Sequence, residues 1–258
     1  MTYEPSSYWK ELNNDCFNYL DKYGYENFKR TVGVVYNDFF VADNGSMVED
    51  YGDRVKEIWD RMYEVYPEKI LDLFEEPLLG NPNHIIYRGR PVTVDLALSM
   101  SEICLLIDKI DFRTINVINE IGGGYGRLAQ VIMKLYPHIT YKMYDIEPSL
   151  IIARMYLTTL FPNNKLEFHS PEKMIEPCDL LIACNCLHEM TKEQVDSYFS
   201  YANRLSHYFY YSCWKTTEIQ KHGIKWRMED YPVGKLWEPL FVGDHRTRKN
   251  YFEALYKI

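Results

Sequence analysis

The segment Glu120-Ile-Gly-Gly-Gly-Tyr-Gly-Arg constrains this chain more than any other. Of its 13 glycines, four (Gly122, Gly123, Gly124 and Gly126) fall within five consecutive positions, directly after the β-rich run TINVINE. Glycine gives up backbone entropy and packs no side chain, so such a cluster marks a turn whose main chain must be approached closely. The helical run RLAQVIMKLYP follows at once. Strand, glycine turn and helix in that order form the first unit of an open parallel α/β sheet. Such sheets bind ligands in the crevice beyond the carboxyl ends of their strands.

The remainder of the chain fits that frame. From residue 114 onward β-rich runs (TYKMYDI, KLEFHS, CDLLIACN, HYFYYSCW) alternate with helical ones (EPSLIIARMYLTTLF, TKEQVDSYFSYANRLS), the pattern of parallel strands joined by crossover helices. The tail FVGDHRTRKNYFEALYKI ends in strand-like alternation and is expected to close the sheet's edge as an antiparallel strand. Before residue 110 the signals are helical. Ser46 and Glu49 have capping-box spacing, apolar residues then recur at helical intervals, and a break is expected near Pro67. HIIYRG reads as a short strand and residues 94–106 as a helix. The expected organisation is a helical cap and substrate region over 1–110 and a Rossmann-like catalytic domain over 111–258.

A net charge of −8 opposes sequence-independent binding to nucleic acid or an anionic membrane and favours small-molecule chemistry. No apolar run has the length of a membrane span, and the start, MTYEPSSYWKELNND, lacks the plan of a secretory signal, so a cytoplasmic location is expected. Six cysteines in apolar surroundings, without paired spacing, read as reduced buried thiols.

Two cofactor classes use such a glycine turn. Gly124, Gly126 and Ala129, with Asp145 about twenty residues on, also satisfy the dinucleotide pattern. Glu120 separates the two, because a carboxylate at the strand end repels a pyrophosphate and attracts the ammonium and sulfonium of S-adenosylmethionine.

The spacing Glu120-x-Gly122-x-Gly124-x-Gly126, with Asp145 at the end of the next strand, is similar to the signature of class I S-adenosylmethionine-dependent methyltransferases. With Gly80-Asn81-Pro82, YDIEPSLIIARMYLTTLFP and CNCLHEM, it makes the chain from about Trp9 onward resemble the sugar O-methyltransferases found among bacterial surface-polysaccharide genes. The resemblance implies a mostly parallel seven-stranded sheet flanked by helices, S-adenosylmethionine as cofactor with S-adenosylhomocysteine as product, and a nucleotide-activated or capsular-polysaccharide sugar as acceptor. It implies cofactor contacts from Glu120, Gly122, Gly123, Gly124, Gly126, Asp145, Ile146, Ser170 and Asn185, and an acceptor contact from Asn81. The family more often carries Ser-Glu-Met where this chain has His188-Glu189-Met190, so a role for His188 has to come from its own surroundings.

Thr191 and Gln194 form a capping box and Met190 can staple to Val195, which fixes His188 and Glu189 in a turn opening on the crevice. A neutral imidazole, with a reference pKa of about 6.5, can take the proton of a sugar hydroxyl, with Glu189 orienting it. The plainer alternative has His188 bonded only to a neighbouring backbone group and Glu189 facing solvent. Cys184, Cys186 and His188 alternate and would share one face of an extended strand, but no fourth ligand is apparent. Lys192 also stands where an HExxH zinc motif needs its second histidine, so no metal site is assigned.

Arg88 and Arg90 in YRGRP, or His245, Arg246 and Arg248 in GDHRTRK, are the cations available for a nucleotide sugar's phosphates, unless they belong to solvated faces. Trp59, Tyr63 and Tyr66 have the spacing of core aromatics, and the amino-terminal helices are expected to cover the crevice as a lid. The expected partner is a small sugar substrate, with a homodimer left open. Competing readings are transfer to a carboxylate, amine or phosphoryl group, a nicotinamide-dependent oxidoreductase, and a non-catalytic cofactor-binding subunit.

Overall fold

Alternating strands and crossover helices dominate the computed structural model, which describes residues 5–30 and 50–258. The amino-terminal part contains α1 (Ser7–Tyr23), α2 (Tyr51–Val65), α3 (Glu68–Leu71), β1 (Ile85–Tyr87), β2 (Arg90–Val92) and α4 (Val94–Lys109). There follow β3 (Val117–Ile121), α5 (Arg127–Leu135), β4 (Thr140–Tyr144), α6 (Ser149–Leu160), β5 (Lys165–His169), β6 (Cys178–Cys184) and α7 (Lys192–Leu205). The chain continues through β7 (Ser206–Trp214), β8 (Thr216–Ile219), β9 (Ile224–Arg227), β10 (Glu238–Asp244) and β11 (Tyr251–Lys257). The capping box expected at Ser46 and Glu49 lies outside the described residues, whereas the break near Pro67 is present between α2 and α3.

Seven strands form one sheet in the order β5-β4-β3-β6-β7-β11-β10. The pairs from β5 through β7 are parallel, and β11 runs antiparallel to both of its neighbours. This is the mostly parallel seven-stranded sheet flanked by helices expected from the sequence. One detail is corrected: the antiparallel tail strand does not close the sheet's edge. Residues 251–256 of β11 are buried and lie between β7 and β10, and the largely exposed β10 takes the edge. Alternation in the tail signals a strand but cannot say which strands flank it.

Apolar clusters cover both faces of the sheet. Residues 94–106 of α4 are buried without interruption and pack on α5, while Val55, Trp59 and Met62 of α2 join the same core as Ile118 of β3. The core therefore runs across the change of pattern near residue 110. Lys29, fully buried, donates to Glu76 Oε1 at 2.5 Å and to the Tyr156 hydroxyl at 2.8 Å, tying the segment after α1 to the helical layer.

The chain reverses direction of travel across the sheet at β3, which has β4 on one side and β6 on the other. That switch point opens a crevice at the carboxyl ends of the strands.

Candidate active site

The crevice is a cleft of about 560 Å³ lined by Glu120, Gly122, Gly123, Gly124, Asp145, Ile146, Asn185, His188 and Glu189, among others. Every catalytic residue inferred from sequence and most of the cofactor residues thus meet in one place. Ser170 and Gly126 are not in the lining. Ser170 donates its hydroxyl to Glu172, and its neighbour Pro171 faces the cleft instead.

The protein's own geometry also requires glycine in this turn. Gly122, Gly124 and Gly126 all have left-handed backbones, with φ of 64°, 60° and 93°. A Cβ at Gly122 would stand 2.5 Å from Cys186 Cβ, and one at Gly123 would stand 2.6 Å from Glu120 Oε2. At Gly126 it would meet Leu157 Cδ1 of α6 at 2.6 Å, so this glycine serves helix packing. The turn is shaped by the protein's own side chains, and the cleft is what that shape leaves open.

Glu120 is buried, its Oε2 accepting from the Tyr141 hydroxyl at 2.8 Å. Burial pushes its carboxyl up to about 7, against the lowering effect of that hydrogen bond. Asp145 directly follows β4, its carboxylate held by main-chain donors: Gly124 N–H at 2.8 Å and Ile146 N–H at 2.7 Å. Burial raises it to about 7 as well. Two carboxyls on neighbouring strands, each poised near neutrality, offer charge to a cationic ligand and acceptors to hydroxyls. A buried Asn185 Oδ1 on the same cleft has no partner in the protein. The donor set therefore fits the ammonium and ribose of S-adenosylmethionine.

Beyond β6 the backbone of Asn185 adopts φ of 57°. That kink follows the end of β6, so Cys184, Cys186 and His188 do not lie on one extended strand as the geometry considered for zinc requires, although all three line the cleft. Cys186 instead donates to Ile121 O at 3.2 Å. No group of three or more His, Cys, Asp or Glu side chains among the described residues is placed to hold a metal ion. All six cysteines are free and buried.

The capping box forms as the sequence indicates: Gln194 N–H donates to Thr191 Oγ1 and Thr191 N–H to Gln194 Oε1. His188 is held just before it, 4% exposed, beside the Trp214 and Tyr251 rings. Its Nδ1 has no partner, and its Nε2 lies 3.6 Å from Glu189 Oε1. Burial, with the charge of Arg248 adding to it, drives the imidazole down to about 3, so its basicity is well below the reference value. Burial and then Asp145 push the Glu189 carboxyl up to about 8.

Several lining residues carry no sequence signal. Tyr8, Trp9 and Leu12 of α1 and residues 216–219 of β8 border the cleft. They are joined across it by Lys221 donating to Glu11 at 2.7 Å and by a Ser7–His222 hydrogen bond of 2.9 Å. Asp95 and Arg127 also line it. Asp95 Oδ2 accepts from the Tyr125 hydroxyl at 3.0 Å, and Arg127 makes a two-pronged pair with Glu102 at 2.6 and 2.7 Å.

The acceptor residues inferred from sequence, Arg90 and Arg248 included, lie outside the lining. Exposed Asn81 donates to Asn27, and Arg88 pairs with Glu68 while covering the Tyr63 ring at 3.8 Å. His245 is buried 3.9 Å from Glu102, and Arg246 stacks over Tyr66 and Phe241. Each is absorbed by a local partner that the sequence does not reveal.

Residues 93–203 match the model of a family described as an O-methyltransferase domain. The span runs from the N-cap of α4 to the last turn of α7 and contains every inferred cofactor and catalytic residue. No curated protein matches the chain. Similar solved structures include a protein from Pyrococcus horikoshii OT3, at 12% identity and TM-score 0.49 over 59% of this chain and 85% of that one. The mitomycin 7-O-methyltransferase MmcR is similar at 14% identity and TM-score 0.47, over 78% of this chain and 60% of that one. An O-methyltransferase family protein from Burkholderia thailandensis is similar at 13% identity and TM-score 0.47, over 88% and 74%.

Proposed function

We propose that this O-methyltransferase domain carries a methyl group from S-adenosylmethionine to a hydroxyl of a sugar. The observation that carries the reading is the pair of buried carboxyls, Glu120 and Asp145, flanking the glycine turn in one cleft with His188. In this reading Glu120 and Asp145, with the main chain of residues 122–124 and 146 and the Asn185 side chain, hold the cofactor. Of residues 1–110, the described ones form the cap over a catalytic domain of residues 111–258. When bound, the cofactor supplies an electrophilic methyl group on a positively charged sulfur.

His188 then has a limited task. An alcohol oxygen that has gained a methyl group is strongly acidic, so even a base weakened by burial accepts its proton. An imidazole held down to about 3 stays unprotonated, and ready, throughout the neutral range. Most of the acceleration comes from alignment of the acceptor within a closed cleft. Glu189, protonated near neutrality, becomes a counter-charge for the imidazolium only as the pH rises past about 8.

The test is calorimetry followed by product analysis. S-adenosylmethionine and S-adenosylhomocysteine should bind and NAD should not, because Glu120 opposes a pyrophosphate. Sugar acceptors should gain the mass of one methyl group. Tight NAD binding without binding of either sulfur compound would overturn the reading.

A further inference from the structure

A nucleotide-activated sugar and a neutral glycoside offer the same hydroxyl and differ in charge. Five carboxyl side chains, Asp95, Glu120, Asp145, Glu189 and Glu218, line the cleft among the described residues, against one arginine, Arg127. That arginine is committed: Nη1 and Nη2 donate to the two oxygens of buried Glu102, and Nη1 also to Ser99 Oγ at 3.1 Å. Arg248 acts on Asp95 electrostatically but stacks on the Tyr251 ring at 4.6 Å and is not in the lining. Residues 1–4 and 31–49 contain neither lysine nor arginine. A pyrophosphate is held by guanidinium forks, lysines and free main-chain donors, and here the Gly124 N–H is spent on Asp145.

The unpaired polar atoms point the same way. Asp95 Oδ1, His188 Nδ1 and Thr217 Oγ1 belong to lining residues, are buried, and have no partner in the protein. As a carboxylate Asp95 accepts at Oδ1, although burial raises its pKa, and the other two atoms pair readily with a hydroxyl. An acceptor such as Asp95 Oδ1 is satisfied by an O–H or N–H group, which an ionised phosphate does not bring, while His188 and Thr217 serve a hydroxyl from either side of the bond. Tyr8, Trp9, Met190 and Trp214 supply apolar faces for the C–H surface of a ring.

Resting on the methyl-transfer reading, we propose that the acceptor carries no phosphate or carboxylate. The cleft takes an uncharged or amine-bearing glycoside whose hydroxyl or ammonium hydrogens go to Asp95, His188 and Thr217.

Two measurements on the whole protein test this. First, protein saturated with S-adenosylhomocysteine is titrated with inorganic pyrophosphate and with UDP. Neither should bind with a Kd below about 1 mM, and a tighter Kd for either overturns the proposal. The preceding saturation step reports separately on the donor assignment, so failure there is distinguishable. Second, protein with S-adenosylmethionine is offered an equimolar mixture of methyl glucoside, its 2-amino analogue, glucose 1-phosphate and UDP-glucose. A neutral or amino product supports the proposal and a phosphate-bearing product overturns it. With the acceptor so found, Asp95→Asn should raise its KM about tenfold and leave the cofactor Kd unchanged. An unchanged KM removes Asp95 from the acceptor contacts.

Discussion

Gly124 and Gly126 share a left-handed backbone yet answer to different neighbours, and their variants should separate accordingly. Gly126→Ala places a methyl group against Leu157 and a side chain at φ of 93°, so the folded state should lose about 2–4 kcal/mol by denaturant titration while cofactor affinity holds. Gly124→Leu strains a residue whose N–H fixes Asp145, and cofactor binding measured by calorimetry should be lost. His188→Ala should lower turnover by about a hundredfold with little change in cofactor Kd. Affinity for the cofactor should also follow pH. Glu120 and Asp145 are raised to about 7, a cationic ligand favours their ionised forms, and binding therefore strengthens as the pH rises through 7. A gain of about tenfold or more between pH 6 and 8 is expected, and a flat profile would deny that these carboxyls meet the cation. The glycines, Glu120 and Asp145 were legible because each sits at a fixed distance from a strand end. Asp95 was not: its partner Tyr125 is joined to it only by folding.

At the scale of elements, local chemistry was read correctly and neighbourhood was not. The box at Thr191 and Gln194 needs only residues three apart, and it forms; Thr191→Ala should cost about 1 kcal/mol in thermal unfolding. The turn holding His188 and Glu189 would loosen with it. The kink at Asn185 escaped the sequence because a non-glycine residue rarely adopts its φ of 57°, and the extended strand expected to carry Cys184, Cys186 and His188 stops short of it. The hairpin of β8 and β9 was missed for a related reason: its four-residue strands carry too little alternation to distinguish them from loop. The basic clusters failed differently, since Arg88 and Arg246 find an acidic or aromatic neighbour before they find the cleft.

For the whole molecule, the ion pair of Lys29 and Glu76 links the segment after α1 to the body of the fold. Both side chains are essentially inaccessible to solvent. Glu76→Ala leaves the ammonium uncompensated and should cost about 3–5 kcal/mol, whereas Lys29→Met with Glu76→Leu should recover most of that loss in the same melting experiment. The larger architecture was visible in the sequence because repeated strand and helix periods over residues 114–214 admit few other layers. The placing of β11 between β7 and β10 also orders events in time. A ribosome releases the β10 segment before the only strand that can receive it, so a nascent chain must carry that ribbon undocked until its successor emerges. The strands β3 and β4 beside the cofactor turn follow one another in the chain, and they have no such wait.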